Sequence, residues 1–349
     1  MQTADGRPSG FDYMRLILAL SLVGGHFAFT EYGFFFGYEF WDTWRRPISA
    51  IITPTFFALS GYLVAGSYFR SKTVFSYLGF RILRIFPAMA FETVLCAFIL
   101  GPTFTVLSLR EYFSDALFYK YFYNIIGMPH LFLPGVFASN PLPRVVNLQL
   151  CTIPWELGCY ILVAVMSLVG IFRSRIYLTV IVLAINAWAF SHYSSFTFIP
   201  FAGAVVQGPV LVESFLAGVV MFVFSDRLPH DWRLFVLSAI ATITLLFIRE
   251  DYFASFPLAY TTVYLGLLNP RRSKIVLSGD YSYGIYLYAF PIQQAVACVN
   301  GSHKAWYLDV VYAYLLIVGM AVISWWLVEK SALSLRKYLP VIEPMEVRT

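Results

Sequence analysis

Long apolar runs separated by short polar segments extend along almost the whole chain. A helix needs about 20 largely apolar residues to cross a bilayer. The runs lack the alternation of apolar and polar residues that a transmembrane strand requires. They lie at 11–30, 48–68, 78–101, 150–171, 176–192, 205–224, 234–249, 252–268, 280–299 and 307–328. The pattern predicts an all-α integral membrane protein, a bundle of about ten transmembrane helices.

The composition agrees with this interpretation and excludes several function classes. Of 349 residues, 59% are hydrophobic and 12% are charged, whereas soluble domains carry roughly a quarter charged residues. The net charge of +5 lies in the loops and forms no basic stripe, so nucleic acid binding is not expected. Four cysteines without C-x-x-C spacing are interpreted as packing residues, and no metal site is predicted: Cys96, Cys151, Cys159 and Cys298.

The distribution of basic residues predicts the orientation in the membrane. With a cytoplasmic N-terminus and one crossing per run, the cytoplasmic segments hold 16 Lys and Arg residues and the opposite side holds 7. Arg15 lies within the first helix. Because positive charge concentrates on the cytoplasmic side, we expect both termini there. No small-residue cleavage pattern follows the run that begins near Phe11, so we expect this run to remain as a spanning helix.

No hinge or repeat divides the chain, so 1–349 is predicted to form a single transmembrane domain with a short cytoplasmic tail at about 329–349. The segment at about 102–149 is too long for a simple turn and is rich in aromatic residues and proline. Long ordered loops often carry function. We expect it to cap the outer mouth of the bundle, and the alternative is a plain connector.

Ionisable residues inside spanning helices are functional candidates by default, and the first helix carries Asp12, Arg15 and His26. Residues eleven apart return to the same helix face after about three turns, so Arg15 and His26 share a face about 16 Å apart along the axis. Arg15, paired with Asp12, suits an anionic group near the cytoplasm. His26 suits a general base. The alternative is a structural role for both residues. His26 would then only form a hydrogen bond with a neighbouring helix, and Arg15 would extend to the lipid headgroups.

Five segments, in order, are similar to motifs of the membrane-bound acyltransferase 3 family. FDYMRLILALSLVGGHF carries the family's arginine and histidine separated by ten residues, at Arg15 and His26. TFFALSGYLVAG follows, and then FRILRIFPA with an R-x-x-R pair. TIPWELGCYILV resembles a Trp–Glu–Tyr block, and GDYSYGIYLYAFPI resembles the late SYxxYLxHxP block. One departure is Ala289, where many members have histidine. Another is that no esterase-like domain follows, so we expect action alone or with a separate envelope partner.

The resemblance implies transfer of an acyl group, usually acetyl, from cytoplasmic acyl-CoA to a hydroxyl of an envelope glycan, glycolipid or small molecule. The implied donor-binding residues are Arg15, Arg81, Arg84, Ser60 and Tyr62. Arg81 and Arg84 are three apart and project to one side, where guanidinium groups bind phosphate well. The alternative for the two arginines is that they only contribute to the general excess of positive charge on the cytoplasmic side. The alternative for Ser60 is that a small residue there lets two helices pack closely.

The resemblance also implies an acceptor side, with Trp155, Tyr160 and Tyr283 as substrate-binding residues. Glu156 would orient or charge-balance His26, or bind the acceptor hydroxyl. Asp280 lies at the start of the late helix, where we interpret it as the N-terminal cap, and a functional role is the alternative. His26 would act as a general base in direct transfer, and a transient acyl-histidine is the alternative.

The resemblance points to the bacterial inner (plasma) membrane, with lipid, the donor and the acceptor as partners. The rival function is a carrier or flippase for a lipid or anionic metabolite, with Arg15, Glu156 and His26 lining the path. The chain shows no internal repeat of the kind that many transporters contain. The sequence leaves open the acceptor, the acyl group and the oligomeric state.

Overall fold

The computed structural model describes residues 8–193, 207–301 and 306–340, and every structural statement below refers to these residues. Three of the basic residues counted for the orientation lie outside them, namely Arg7, Lys304 and Arg348, as do the start of the run at 205–224 and the end of the tail. Helices account for 80% of the structure, and no strand occurs among the described residues. The all-helical prediction is confirmed.

Ten helices of 16 residues or more lie in the described part of the chain, close to the ten predicted runs. We number them α1 Gly10–Asp42, α2 Ile52–Phe69, α3 Val74–Leu95, α4 Ile153–Leu168, α5 Arg175–Tyr193, α6 Gly208–Val223, α7 Trp232–Phe247, α8 Asp251–Leu267, α9 Ser282–Asn300 and α10 Trp306–Ser324.

Six helical segments among the described residues are long and apolar enough to cross a membrane: Gly10–Phe36, Arg46–Phe69, Val74–Phe104, Leu148–Leu168, Arg175–His192 and Trp306–Tyr338. Helices α6 and α7 are apolar but shorter. The protein is therefore a multi-pass membrane protein. Ten crossings and two cytoplasmic termini stay predictions.

The outward faces of the helices carry large apolar side chains. On α7, Leu237, Ile240 and Ile243 follow a helical spacing and are each more than half exposed. On α10, Val311 and Leu315 are exposed in the same way. Contiguous exposed apolar surface of this kind is uncommon on soluble monomers, so these faces are suited to lipid.

Helix α1 is longer than the predicted run at 11–30, because it continues to Asp42. Gly33 interrupts its regular geometry with φ of 79°, a conformation that glycine adopts without the steric cost of a Cβ. A Cβ there would also meet the carbonyl oxygen of Pro141 at 2.8 Å. The C-terminal part of α1 therefore lies against the segment at 102–149.

Glycines allow α2 and α6 to pack closely. A Cβ on Gly61 would overlap the backbone of Phe215, and one on Gly218 would overlap the carbonyl oxygen of Ala58. Small residues at such contacts are typical of membrane helices. Gly61 therefore makes the close helix contact, while the neighbouring Ser60 faces the cavity described below.

The segment at 102–149 contains the short helices Leu109–Ser114 and Ala116–Tyr121, followed by a 3-10 turn at Phe122–Ile126. Buried side chains of this segment, including Tyr112, pack against Cys96 and Ala97. Its end is held by Asn147, whose amide donates a hydrogen bond to the buried carboxyl group of Glu92 on α3. The segment is thus attached to the bundle through both apolar and polar contacts.

Candidate active site

A cavity of about 550 Å³ lies between α1, α2, α3, α4 and α9, with the segment after α10 closing one side. Nine of the eleven predicted site residues line it, although they come from five different helices. They are Arg15, His26, Ser60, Arg81, Arg84, Trp155, Glu156, Tyr160 and Tyr283. Helix packing therefore gathers residues that are separated by up to 268 positions in the chain.

At one end of the cavity, arginines from two helices converge on one carboxylate. Arg15 Nη1 lies 2.5 Å from Asp280 Oδ2, and Arg84 Nη2 lies 2.9 Å from the same oxygen. Asp280 Oδ1 accepts a hydrogen bond of 2.7 Å from Ser282 Oγ. Asp280 therefore has an electrostatic role that the sequence analysis did not propose.

The capping prediction for Asp280 is wrong. Helix α9 begins at Ser282, its N-cap residue is Tyr281, and no side chain caps it. Asp280 instead points toward the two arginines, because the bundle brings α1 and α3 beside the start of α9.

Tyrosine and serine side chains also contact the guanidinium groups of Arg81 and Arg84. Arg81 Nη2 donates a hydrogen bond of 2.7 Å to Ser67 Oγ, and its guanidinium lies 5.6 Å from the ring centre of Tyr160. Arg84 lies 5.7 Å from the ring centre of Tyr283. Cation–π contacts at this distance are favourable. These contacts hold both guanidinium groups in place, and their positive charges line this end of the cavity.

Two predicted residues lie outside the lining of this cavity. Tyr62 stacks on Phe11 with ring centres 5.1 Å apart and meets Phe222 edge-on. Asp12 Oδ2 lies 3.6 Å from Arg272 Nη2 and lines a second cavity. The structure therefore does not bring Tyr62 to the main cavity, and it gives Arg15 the partner Asp280.

At the other end, His26 lines the cavity within an apolar wall. Its ring meets the ring of Phe290 edge-on, with centres 5.3 Å apart. Phe29, Leu148 and Phe290 form one buried cluster there. The Nδ1 atom of His26 is buried and has no hydrogen-bond partner among the described residues. Because buried polar atoms are nearly always paired, this atom marks the ring as a functional candidate.

Glu156 lies in the first turn of α4, beside Trp155. Its carboxylate accepts a hydrogen bond from the hydroxyl of Tyr160, one turn further along the helix. Trp155 is 41% exposed and its ring lies against Gly208, where a Cβ would overlap it. The Glu156–Tyr160 pair thus forms part of the cavity wall, and Tyr160 lies beside Arg81.

Sequence reasoning did not find a polar group near the histidine end. Gln149 Nε2 donates a hydrogen bond of 2.7 Å to the carbonyl oxygen of Leu287. The hydroxyl of Tyr286 donates one of 2.5 Å to the carbonyl oxygen of Gln149, and Thr152 Oγ1 lies 2.8 Å from that hydroxyl. All three residues line the cavity, and Gln149 Oε1 is buried without a partner among the described residues. The sequence offered one signal for this group, the glutamine Gln149 that precedes the Trp–Glu–Tyr block.

Two further arginines line the main cavity near Arg15, Arg81 and Arg84, namely Arg70 and Arg336. In sequence they are ordinary basic residues after a helix, so only their position in the fold distinguishes them. Within the described part of the chain, no group of three or more His, Cys, Asp or Glu residues could hold a metal ion.

The apolar helices and the internal cavity define a multi-pass membrane protein with a buried site. The family model of the acyltransferase 3 family, described as an acyltransferase domain, matches residues 9–329. The chain therefore belongs to this acyltransferase family, as the sequence resemblance predicted.

Two relatives extend over nearly the whole chain. An O-acetyl transferase of Shigella phage Sf6 is 26% identical over 339 residues, which cover 93% of this chain and 96% of that protein. Nodulation protein 10 of Rhizobium leguminosarum bv. viciae is 26% identical over 375 residues, with 96% of each chain covered. No solved structure gives a significant match.

Proposed function

We propose that this acyltransferase moves an acyl group, acetyl in the simplest case, from acyl-CoA to a hydroxyl of an envelope glycan, glycolipid or small molecule. The observation that carries the proposal is a single cavity that joins an arginine cluster to His26. On α1, the two ends are represented by Arg15 and His26, about 16 Å apart along the helix axis. A long donor with phosphates at one end and a thioester at the other suits this shape.

The charge of the lining supports an anionic donor. Five arginines line the cavity, together with the carboxylates of Asp280 and Glu156. Arginine binds phosphate oxygens through paired hydrogen bonds. A donor phosphate would replace the Asp280 carboxylate on Arg15 and Arg84, so the ion pairs would be exchanged rather than left unsatisfied.

The chemical step needs one base near the thioester carbonyl. His26 would take the proton from the acceptor hydroxyl, and the oxygen would attack the carbonyl carbon. The carbon–sulfur bond would then break, and the proton held by His26 would pass to the thiolate as free CoA leaves. Gln149, Thr152 and Tyr286 line the same end and would hold the acceptor hydroxyl.

The relatives support an oxygen acceptor. The Shigella phage Sf6 protein is named an O-acetyl transferase, and acetyl transfer to a hydroxyl is the simplest reaction that this cavity accommodates. We further propose that the protein works in the bacterial inner membrane, with the arginine end facing the cytoplasm. The supporting observation is the excess of basic residues in the segments on that side.

The test uses the purified full-length protein in detergent with radiolabelled acetyl-CoA and an envelope extract. We expect the wild type to consume the thioester and to transfer the label, and His26→Ala to do neither above background. The labelled product would identify the acceptor. A wild type that neither binds nor consumes acetyl-CoA would contradict the proposed donor and favour the carrier alternative.

A second measurement separates the two chemical routes. Direct transfer predicts that a wild-type sample mixed with acetyl-CoA and no acceptor keeps an unmodified His26. Intact-protein and peptide mass spectrometry would detect an acetyl group on this residue. A stoichiometric acetyl-His26 adduct would replace direct transfer with a covalent intermediate.

A further inference from the structure

Glu92 is a fully buried carboxyl group on α3 that lies outside the lining of the main cavity. Its Oε1 atom accepts a hydrogen bond from the side-chain amide of Asn147 and one of 2.9 Å from Cys96 Sγ. Both donors are neutral groups, and burying a carboxyl group in such surroundings is costly. The contact between Glu92 and Asn147 therefore invites a functional explanation.

Asn147 connects this carboxyl group to a turn that lines the cavity. It is fully buried and lies directly before the 3-10 turn Leu148–Thr152. It occupies the N-cap position of the turn, but its side chain does not cap the turn. The side-chain amide donates to Glu92 instead, so the carboxyl group attaches the start of the turn to α3.

The turn carries the polar groups proposed to hold the acceptor, and it is attached to α9 as well. Gln149 and Thr152 line the cavity. Gln149 Nε2 donates a hydrogen bond of 2.7 Å to the carbonyl oxygen of Leu287, and its own carbonyl oxygen accepts one of 2.5 Å from Tyr286. The turn is thus held between α3 and α9, and Glu92 makes the contact on the α3 side.

A change at Glu92 would be transmitted to the cavity over a short stretch of backbone. Asn147 and Gln149 are two residues apart, so a shift of one carries the other with it. Without Glu92, the buried amide of Asn147 would lose its acceptor, which is unfavourable unless the amide moves to another partner. Misplacement of a reacting group by about 1 Å is enough to slow an enzyme strongly.

We propose that Glu92 is a positioning residue for acyl transfer. Through Asn147 it fixes the turn Leu148–Thr152 at the place that the acceptor hydroxyl requires. The inference rests on the proposed function, in which this turn holds the acceptor. The competing explanation is that Glu92 only stabilises the attachment of the segment at 102–149 to the bundle.

The experiment measures acceptor use and donor binding separately on the full-length protein in detergent. Label transfer from radiolabelled acetyl-CoA to an envelope extract gives an apparent KM for the extract, and competition with radiolabelled CoA gives the Kd for acetyl-CoA. Glu92→Leu should raise this apparent KM about tenfold and leave the Kd unchanged. Glu92→Gln keeps an oxygen that accepts from Asn147, so its apparent KM should lie within about twofold of the wild-type value. If Glu92→Leu does not fold, Asn147→Leu removes the same hydrogen bond from the other side.

Glu213→Leu is the matched control for the loss of a buried carboxyl group. Glu213 on α6 is as fully buried as Glu92 and also lies near an asparagine amide, with Asn186 Nδ2 at 3.4 Å, but it lies outside the cavity lining. We expect this variant to melt at a lower temperature and to keep the wild-type apparent KM for the extract. An equal rise in apparent KM in both leucine variants would show that lost stability, and not the position of the turn, is the cause.

A double variant tests whether Glu92 acts through the turn. Two independent tenfold effects, from Glu92→Leu and Gln149→Leu, would multiply to about a hundredfold in the apparent KM for the extract. Two changes that act on the same turn should together give less than about thirtyfold. A full hundredfold rise would overturn the proposed route from Glu92 to the acceptor.

The outcomes separate this inference from the proposed function. If the wild type transfers label and Glu92→Leu keeps the wild-type apparent KM, the positioning role is wrong and acyl transfer stands. The same conclusion follows if Glu92→Gln is as impaired as Glu92→Leu, because the glutamine keeps the hydrogen bond. If the wild type transfers no label, the proposed function is wrong, and the positioning role is wrong with it.

Discussion

The two ends of the main cavity differ in charge and in the pairing of their polar groups. At the arginine end, Arg15 and Arg84 share Asp280, and Arg81 bonds to Ser67, while the Nε atoms of Arg81 and Arg336 are buried without a partner among the described residues. At the histidine end, His26 Nδ1 and Gln149 Oε1 are likewise buried without a hydrogen-bond partner there. An unsatisfied buried polar atom costs about 1–3 kcal/mol. Both ends therefore hold groups that a ligand would satisfy, and the arginine end in addition holds ion pairs that a bound anion would exchange.

The largest expected effect comes from removing the base at the histidine end. His26→Ala should lower turnover by about a thousandfold, within the range of general-base catalysis, and leave the Kd for acetyl-CoA unchanged. Label-transfer kinetics and competition binding would measure the two quantities. His192→Ala is the matched control, because His192 is exposed on α5. Loss of donor binding in His26→Ala would contradict the assignment of donor binding to one end and chemistry to the other.

The second-largest effect is expected at the arginine end, where KM should change and kcat should not. Arg81→Ala combined with Arg84→Ala should raise the KM for acetyl-CoA by about a hundredfold, because two charged hydrogen-bonding groups are lost. We expect kcat to change little. Stabilisation of the protein by CoA in a thermal melt should disappear. Unchanged stabilisation would contradict a donor site at these arginines, and Arg271→Ala controls for the loss of charge.

A smaller effect tests the acceptor side. Gln149→Leu keeps a similar volume but removes the Oε1 atom, so we expect a KM for the acceptor about tenfold higher. The Kd for acetyl-CoA should stay at the wild-type value. The variant loses the hydrogen bond to Leu287 as well, so its melting temperature must be measured in parallel. An unchanged acceptor KM would exclude Gln149 from acceptor binding.

The smallest effect distinguishes two roles of Glu156. Glu156→Gln keeps an oxygen that accepts from Tyr160 but removes the charge, so we expect kcat/KM to fall only about threefold if hydrogen bonding is the role. For Glu156→Ala, we expect kcat/KM to fall about tenfold. If Glu156 balances the charge of His26, the glutamine variant should be as inactive as the alanine variant and its pH–rate profile should shift.

Helical periodicity explains what could be predicted within one element. Arg15 and His26 are eleven residues apart, close to three turns, and both line the cavity as predicted. Ser60 and Tyr62 are two residues apart, about 200° around a helix, so one donor-binding surface could not easily include both. The structure places Ser60 at the cavity and Tyr62 against Phe11.

Contacts between distant helices could not be predicted in the same way. The Asp280 contacts with Arg15 and Arg84 join residues 265 and 196 positions apart. Nothing local distinguishes an aspartate before a helix that caps it from one that pairs with arginines of other helices. Gln149 and Arg336 likewise become site candidates only when the bundle places them beside the cavity.

The sequence by itself determined the helical membrane class, the approximate helix positions and the acyltransferase family, because hydrophobic run length, helical spacing and motif order are local properties of the chain. The tertiary structure alone decided which faces meet, that Asp280 joins Arg15 to Arg84, and that a second cavity adjoins the first. The physical reason is that a side chain's partner depends on the packing of several helices, and no helix encodes the position of its neighbours.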